Sequence, residues 1–310
     1  MDKKSVSIII PTYNGCRLLR EYLPYTLNVV SQSSAVGDYE IIVIDDASAD
    51  DTVAYIKTLV IPNLTLIVND RNSGFSKTIN KGIARAKMDY CLLLNNDMEL
   101  PADFFEKTLP VFADDSVFGV CTEIRDRAGD KIIESRKLPY IKHGELRYKE
   151  TVDNQNSNTL YLCGGNAVVD TRKLQSLKGF NELFSPFYFE DFDLSLRAWR
   201  KGWKSLYINS TFCKHTPSTT IKKENDNQFV SRIFVRNRIL LNYLHNSKSD
   251  NLMLMGRVYL KMLMYAFARN KEKRNYVESA KGFLSIRREA DNCRKTEYNE
   301  LKTLDLTVFK

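Results

Sequence analysis

No two cysteines in this chain have the CxxC spacing of a zinc ribbon or a redox pair. The six, at positions 16, 91, 121, 163, 213 and 293, are scattered, and several sit in apolar runs. That pattern predicts buried free thiols in a reducing compartment rather than a disulfide framework. No uncharged apolar run of about 18 residues occurs, so a membrane-spanning helix is not expected. The first apolar run, Ser5–Ile10, is too short for the core of a secretion signal and leads straight into Pro11-Thr12-Tyr13-Asn14. A cytoplasmic location is therefore the expectation. Neither GxGxxG nor GxxxxGK[ST] follows that run, so the common dinucleotide and P-loop solutions lack their signature. A nucleotide bound here would need its phosphates neutralised by a metal or by Arg and Lys.

What is present is an ordinary globular composition, with 43% hydrophobic and 27% charged residues over 310 positions. This suits one large α/β domain with an appendage. The net charge of +8 is unevenly spread. Residues 222–310 carry 19 Lys and Arg against 10 Asp and Glu, while residues 1–221 carry 27 against 28. A nearly neutral body thus precedes a basic tail, and an anionic surface is the partner such a tail suits. A body over 1–221 and a mainly helical extension over 222–310 are the expected units.

Apolar, β-branched runs at Val6–Ile10, Glu40–Ile44, Leu64–Val68 and Tyr90–Leu94 alternate with helical patterns. The helices are expected over Arg17–Val30, interrupted at Pro24, over Asp50–Leu59 and over Ser76–Lys87, with Ser48 as a candidate cap. Such alternation predicts a Rossmann-like, mostly parallel sheet covered by helices on both faces. In open parallel sheets, ligands bind beyond the carboxyl ends of the strands. All four runs end there in polar turn formers: Pro11-Thr12-Tyr13-Asn14-Gly15, Asp45-Asp46-Ala47-Ser48, Asn69–Gly74 and Asn95-Asn96-Asp97. Beyond them, Arg125–Asn158 is polar and poorly patterned, as a loop or hairpin insertion over the site would be.

Asp97, just past a very apolar strand, offers hard oxygen ligands suited to Mg²⁺ or Mn²⁺. The same residue could cap the helix that starts near Pro101. His215 is one of only three histidines and closes a strand-like run. In residues 184–203, FSPFYFEDFDLSLRAWRKGW, the positions Phe189, Phe192, Leu196 and Trp199 share one helical face. Glu190, Asp191 and Asp193 then fall in the first turn, where the helix dipole favours acids. Capping alone does not need three of them. An acid beside another acid in an apolar setting has its pKa raised, as a general base requires. Paired carboxylates also serve glycoside hydrolysis.

In order along the chain, VSIIIPTYNG, IIVIDDASADDT, NDRNSGFSKTINKGIARAK, LLLNNDMEL and FEDFDLSLRAWRKGWKSLYI with a later His resemble family 2 glycosyltransferases. The likeness is nearest to rhamnosyltransferase-like bacterial members. It covers about residues 5–245 and implies an A-type glycosyltransferase (GT-A) fold. It also implies inverting transfer of a hexosyl or deoxyhexosyl unit from a nucleotide-sugar donor to an acceptor hydroxyl. The setting implied is bacterial surface polysaccharide assembly, with a glycan or lipid-linked acceptor. By the same resemblance Pro11, Thr12 and Tyr13 line the nucleobase. Asp46, with Asp45, accepts hydrogen bonds from base or ribose, and Arg71, Asn72 and Gly74 close over the nucleotide. Asp97 matches the metal-binding last acid of the family's DxD motif. Asn95 stands where many members have the first acid, with Asn96 between them, so the site carries one charge fewer. His215 matches a metal ligand of some members. Asp191, paired with Glu190, matches the acceptor-side base, while Asp193 is left to cap or to orient. A sugar-nucleotide-binding or membrane-scaffold protein whose fold has lost turnover is the competing reading.

In the tail, Phe229–Leu244 reads as an amphipathic helix packed on the body. Leu252–Ala268 is strongly apolar but contains Arg257 and Lys261. It reads either as a core or self-association helix, which would make a homo-oligomer, or as an interfacial helix on an anionic membrane at the inner face of the plasma membrane. No nucleic-acid motif accompanies the basic charge, so nucleic acid is not an expected partner.

Overall fold

Strand β1 (Lys4–Thr12) leads into α1 (Cys16–Gln32), β2 (Val36–Asp45) into α2 (Thr52–Thr58), and β3 (Leu64–Val68) into α3 (Phe75–Arg85). Then come β4 (Tyr90–Leu94), β5 (Met98–Glu99), α4 (Phe104–Thr108), β6 (Val117–Asp126) and β7 (Ile132–Glu134). A hairpin of β8 (Arg136–Lys142) and β9 (Glu145–Thr151) is followed by β10 (Ser157–Asn158), β11 (Asn166–Asp170) and α5 (Thr171–Ser176). Helix α6 (Glu190–Arg200) and β12 (Lys204–His215) complete the body. The extension holds α7 (Asn227–His245), α8 (Lys248–Tyr265), α9 (Lys271–Ser285) and α10 (Arg287–Cys293). The structure is a computed structural model and describes residues 2–152, 156–216 and 226–309. The expected boundary at 221/222 lies outside the described residues.

The main sheet has the order β10-β12-β6-β11-β4-β1-β2-β3, with β5 and β7 added along β12 and β6. Strand β1 runs parallel to β2 and β4, β2 to β3, and β6 to β12. Only β11, of the long central strands, runs antiparallel between its neighbours β4 and β6. The alternation of side chains along β1 explains the layering. Ile8 and Ile10 join the cluster beneath α1, α2 and α4, while Ile9 joins the one beneath α3, α5 and α6. Register matters most at the strand ends, where Thr12 lies opposite Asp45 and Asp45 opposite Val68. The three strands therefore stop at one level, and their following loops gather at one edge.

Two expectations are corrected. Helix α1 runs through Pro24 without a break. Leu19, Tyr22, Leu23, Val29 and Val30 are buried on both sides of it, enough to outweigh the roughly 3 kcal/mol cost of an internal proline. Ser48 does not cap α2, because its Oγ accepts from Asn14 N at 2.8 Å. The acid before that helix, Asp50, instead bridges two helix starts, accepting from Cys16 N and Thr52 N at 3.1 Å each. The insertion within Arg125–Asn158 contains the β8–β9 hairpin, turned by His143 and Gly144, both at positive φ.

The extension is packed into the body. Leu160, Tyr161, Phe184, Phe192 and Leu196 form one buried cluster with Leu240, Leu244, Leu254, Phe283 and Tyr298. Phe189 and Trp199, half-buried, complete the α6 face read from the sequence.

Gly82 lets α3 lie directly on the sheet, since a Cβ there would stand 2.5 Å from Ile9 Cγ2 and 2.6 Å from Ile44 Cδ1. Gly82→Ala should therefore destabilise the fold by about 1–3 kcal/mol through overpacking, against the usual helical gain from alanine. Urea unfolding measures it, and an unchanged or raised midpoint would contradict the packing.

Candidate active site

The loops after β1 and β2 are stitched together by backbone donors. Gly15 N donates to Thr52 Oγ1 at 3.0 Å, and Ala49 N to Asn14 Oδ1 at 2.8 Å. Thr12, buried, accepts from Asn96 Nδ2 at 2.8 Å, which ties the end of β1 to the end of β4. Pro11 and Tyr13 flank it, both half-buried.

The two acids after β2 differ. Asp46 is committed to the protein: Oδ1 accepts from Asn69 Nδ2 at 2.7 Å and Ser73 N at 2.9 Å, and Oδ2 accepts from Gly74 N at 2.9 Å. It shapes the 69–74 loop. Asp45 accepts from Ser48 N at 3.0 Å, while its Oδ1 is buried with no hydrogen-bond partner among the described residues. The carboxylate oxygen left unpaired thus lies on Asp45, the acid ranked second from the sequence. Arg71 and Asn72 are exposed on the loop, where Asn72 Oδ1 accepts from Gly74 N. Gly74 has φ 81°, and a Cβ on it would meet Pro186 Cα at 3.0 Å. The loop consequently rests on the segment before α6, with Phe75 N donating to Pro186 O.

Past β4, Asn95 N donates to Gly165 O at 3.1 Å, and a Cβ on Gly165 would stand 2.9 Å from Asn95 Nδ2. Asp97, 2% exposed, places Oδ2 3.1 Å from His215 Nε2. Pairing of β5 with the end of β12 sets this contact, opposing His215 to Met98. Burial works against protonating His215, but the hydrogen bond and charge of Asp97, and then Glu134, raise its pKa above the ordinary value. Among the described residues no cluster of three or more His, Cys, Asp or Glu forms a metal site. Asp97 and His215 nonetheless present one oxygen and one nitrogen at a separation that a single divalent cation could share.

The turn into α6 is held from behind. Tyr188 and Phe189 adopt φ of 76° and 74°, a left-handed conformation that bulky residues avoid. Asn237 of α7, fully buried, directs Nδ2 to the carbonyls of Phe184, Phe187 and Tyr188 at 2.7–2.9 Å. Arg236 adds bonds to the carbonyls of Leu183 and Ser185. The turn then presents Glu190 and Asp191. Burial first, and the Asp191 charge next, lift Glu190 well above the carboxylate range, and its Oε2 is buried without a partner among the described residues.

Asp191 Cβ would lie 3.8 Å from a Cβ built on Gly164, so the acid sits against the glycine pair that also touches Asn95. Its pKa is pushed up to about 6, by burial and then by the Glu134 carboxylate, with Lys137 pulling the other way. Lys137 is 2% exposed and donates to Glu134 Oε2 at 2.8 Å, with its ammonium 5.0 Å from the Tyr161 ring centre. Glu134 and Lys137 were not singled out from the sequence. Their i,i+3 spacing in IIESRK is the one signal, and a polar stretch offers many such pairs.

Asp193 does something other than cap or orient. Wholly buried, it accepts from Arg197 Nε at 2.8 Å and Tyr298 OH at 2.6 Å, and lies 2.9 Å from His245 Nε2. Burial opposes its ionisation, but the Arg197 guanidinium and the bonds from His245 and Tyr298 hold its pKa below the ordinary value. Arg197 in turn donates to Leu177 O at 2.6 Å and Gly179 O at 2.8 Å.

Comparison with known proteins bears on this arrangement. A family model described as glycosyl transferase family 2 matches residues 7–177. The chain is 28% identical over 139 residues to the undecaprenyl-phosphate 4-deoxy-4-formamido-L-arabinose transferase of Sodalis glossinidius, covering 44% of this chain and 41% of that protein. It thus spans less than half of that relative's length. The crystal structure of S. aureus TarS 1-349 in complex with UDP-GlcNAc is similar with a TM-score of 0.58 at 16% identity, covering 94% of this chain and 90% of that one. The mannosyltransferase PcManGT of Pyrobaculum calidifontis, in complex with GDP-Man and Mn²⁺, is similar with a TM-score of 0.56 at 14% identity, covering 96% and 89%. At these identities the solved structures establish the fold, a mostly parallel sheet flanked by helices of the GT-A type.

Asp193→Asn leaves the Arg197 charge buried without its counter-ion and should cost about 3–5 kcal/mol of stability. Because the Asp193 pKa is depressed in the fold, its contribution is present above the unfolded carboxylate pKa and is lost as pH falls through the folded value. Urea midpoints of both proteins at neutral and acid pH test this, and equal midpoints at neutral pH would refute it.

Proposed function

Because the chain belongs to glycosyl transferase family 2, we propose that it moves a sugar from a nucleotide-sugar donor to an acceptor hydroxyl with inversion at the anomeric carbon. The observation that carries this reading is Asp191, a half-buried acid at a helix N-terminus, its pKa pushed up to about 6, beside Gly164 and the strand-end loops. At neutral pH it is ionised and able to accept the acceptor's proton as that oxygen attacks. Burial and the Asp191 charge raise the Glu190 pKa as well, so the two neighbouring acids disfavour ionising together. On the donor side, Pro11, Thr12, Tyr13, Asp45, Asn95 and Asn96 line the nucleoside. Asp46, through its three hydrogen bonds, holds the loop carrying Arg71, Asn72 and Gly74 over it.

Asp97 and His215 fit a divalent cation, Mn²⁺ or Mg²⁺, as one carboxylate and one imidazole at 3.1 Å. Such an ion offsets charge on the departing nucleoside diphosphate. The Mn²⁺ and GDP-Man in the archaeal mannosyltransferase structure, and the UDP-GlcNAc in the S. aureus one, support both halves of this donor site.

For the acceptor we infer a glycan or a lipid-linked saccharide, presented at the inner face of a membrane in bacterial polysaccharide assembly. Support comes from the undecaprenyl-phosphate named in the Sodalis relative and from helix α8. One face of α8, with Leu254, Met255 and Val258, is buried. The other, continued past the helix end by Phe267, exposes Leu252, Met253, Leu260, Leu263, Met264 and Phe267 by 56–97%. Arg257 and Lys261 border that face at helical spacing. An apolar stripe this large marks an interaction surface, and its basic border matches anionic lipid. No helix of the described residues is long and apolar enough to cross a membrane.

A panel of nucleotide sugars with and without Mn²⁺, read by mass spectrometry for nucleoside diphosphate release, tests the activity. With the active donor, Asp191→Asn should lower kcat by about 10²–10⁴ while donor binding persists. Near-normal turnover in that variant would remove Asp191 as the base. The rate should fall below about pH 6, where Asp191 becomes protonated. Glu134→Gln, by removing a like charge, should move that acid limb to lower pH.

Wild-type protein should sediment with phosphatidylglycerol-containing vesicles at moderate salt. Leu263→Glu combined with Phe267→Glu should weaken this by about tenfold or more, since each buried side chain is worth about 1.5–3 kcal/mol. Wild-type protein that stays in the supernatant, or that forms a dimer through this face, would overturn the membrane assignment.

A further inference from the structure

At the far end of α6, away from Asp191, a cavity of about 340 Å³ opens between that helix, the α7–α8 turn and residues 294–306. Arg200 lies nine positions after Asp191, about 14 Å along the helix axis, so this space is distinct from the strand-end site. Its walls are of two kinds. Leu196, Leu244, Leu304 and Leu306 make an apolar side, and Arg200, Arg294 and Asn246 supply donors.

Neither arginine makes an ion pair with a carboxylate among the described residues. Arg200 donates to the carbonyls of Lys302 at 2.7 Å, Leu301 at 3.3 Å and Tyr298 at 3.4 Å. Arg294 donates to Asn246 O at 2.5 Å, with its guanidinium 5.8 Å from the Tyr243 ring centre. Burial first, then repulsion from Arg294, lowers the Arg200 pKa, so two like charges face one space. Asn246 Nδ2 is buried and has no hydrogen-bond partner among the described residues. The one carboxylate lining the cavity is Asp250, held by Ser247 Oγ at 2.6 Å. Two guanidinium groups thus line the cavity against one carboxylate, a positive excess that a phosphate would balance. The volume suits a small phosphorylated molecule rather than a bare ion.

We propose that this cavity binds a phosphomonoester, its phosphate between Arg200, Arg294 and Asn246 and its carbon portion on the leucine wall. The phosphate can come from a free sugar phosphate or from a lipid headgroup. A chain of hydrogen bonds leads from the cavity to the first turn of α6. Arg200 Nη1 lies 3.3 Å from His245 Nδ1, and His245 Nε2 lies 2.9 Å from Asp193. This site stands independently of the role given to Asp191.

Isothermal titration of the full chain with ribose 5-phosphate, and separately with dihexanoyl phosphatidic acid, tests the proposal. At least one probe should bind saturably, and Arg294→Gln should weaken it by about tenfold or more, as loss of a charge-assisted contact implies. Thr303→Trp, at an exposed rim position, should block the cavity without touching either arginine, which guards against a folding defect in the first variant. Asp97→Asn should leave the binding intact. Ribose 5-phosphate as the binder assigns a free ligand, and the lipid alone as the binder assigns a headgroup; both support the site. No binding of either probe, or binding that survives both cavity variants, overturns it.

Discussion

A wholly buried carboxylate is tolerated only when its charge is met in place, since leaving it unpaired costs several kcal/mol. Asp193 is such a group, and its partners come from three segments: Arg197 one helical turn away, His245 at the end of α7, and Tyr298 near the C-terminus. Arg197 spends its other donors on Leu177 and Gly179. Helix α6 is thereby fixed in rotation and height against the loop before it and the helices after it. Displacing either side would strand a charge in an apolar interior.

The geometry of the candidate site follows from that anchoring together with strand register. The sheet brings Thr12, Asp45 and Asn69 to one level, and Asn96 and Asp97 reach the same edge from β4. Acidic groups arrive from the opposite direction, on the first turn of α6. Its approach is left-handed at Tyr188 and Phe189, a conformation costing of order 1–3 kcal/mol each. The Asn237 amide and the aromatic packing around it hold that approach. Glu134 and Lys137 then set the electrical environment of Asp191 from a third direction.

Much of this was legible in the sequence, for a physical reason. Strands such as SVSIII and EIIVI are buried on both faces, so their β-branched runs are unbroken, and the polar residues ending them mark the site edge. The face of Phe189, Phe192, Leu196 and Trp199 was readable because helical periodicity needs no partner to be seen. What escaped was set by tertiary partners. Pro24 reads as a break until the burial on both sides of it is known. Ser48 is spent on Asn14 rather than on a helix, and Asp46 on the 69–74 loop that follows β3, so that Asp45 keeps the unpaired oxygen. Asp193 looks like its neighbours in a first-turn acid cluster, since its counter-ions His245 and Tyr298 lie 52 and 105 residues away. The Glu134–Lys137 pair is invisible for the same reason.

The segment matched by the family model ends at residue 177, and Leu177 is itself a carbonyl held by Arg197. The matched portion carries the strand-end loops and Asp97, but not α6, His215 or the helices that anchor them. The chain beyond that point therefore supplies the first-turn acids of α6, the counter-charge for the buried one among them and the clamp on the left-handed turn, so the matched portion cannot assemble the acidic side of the site by itself.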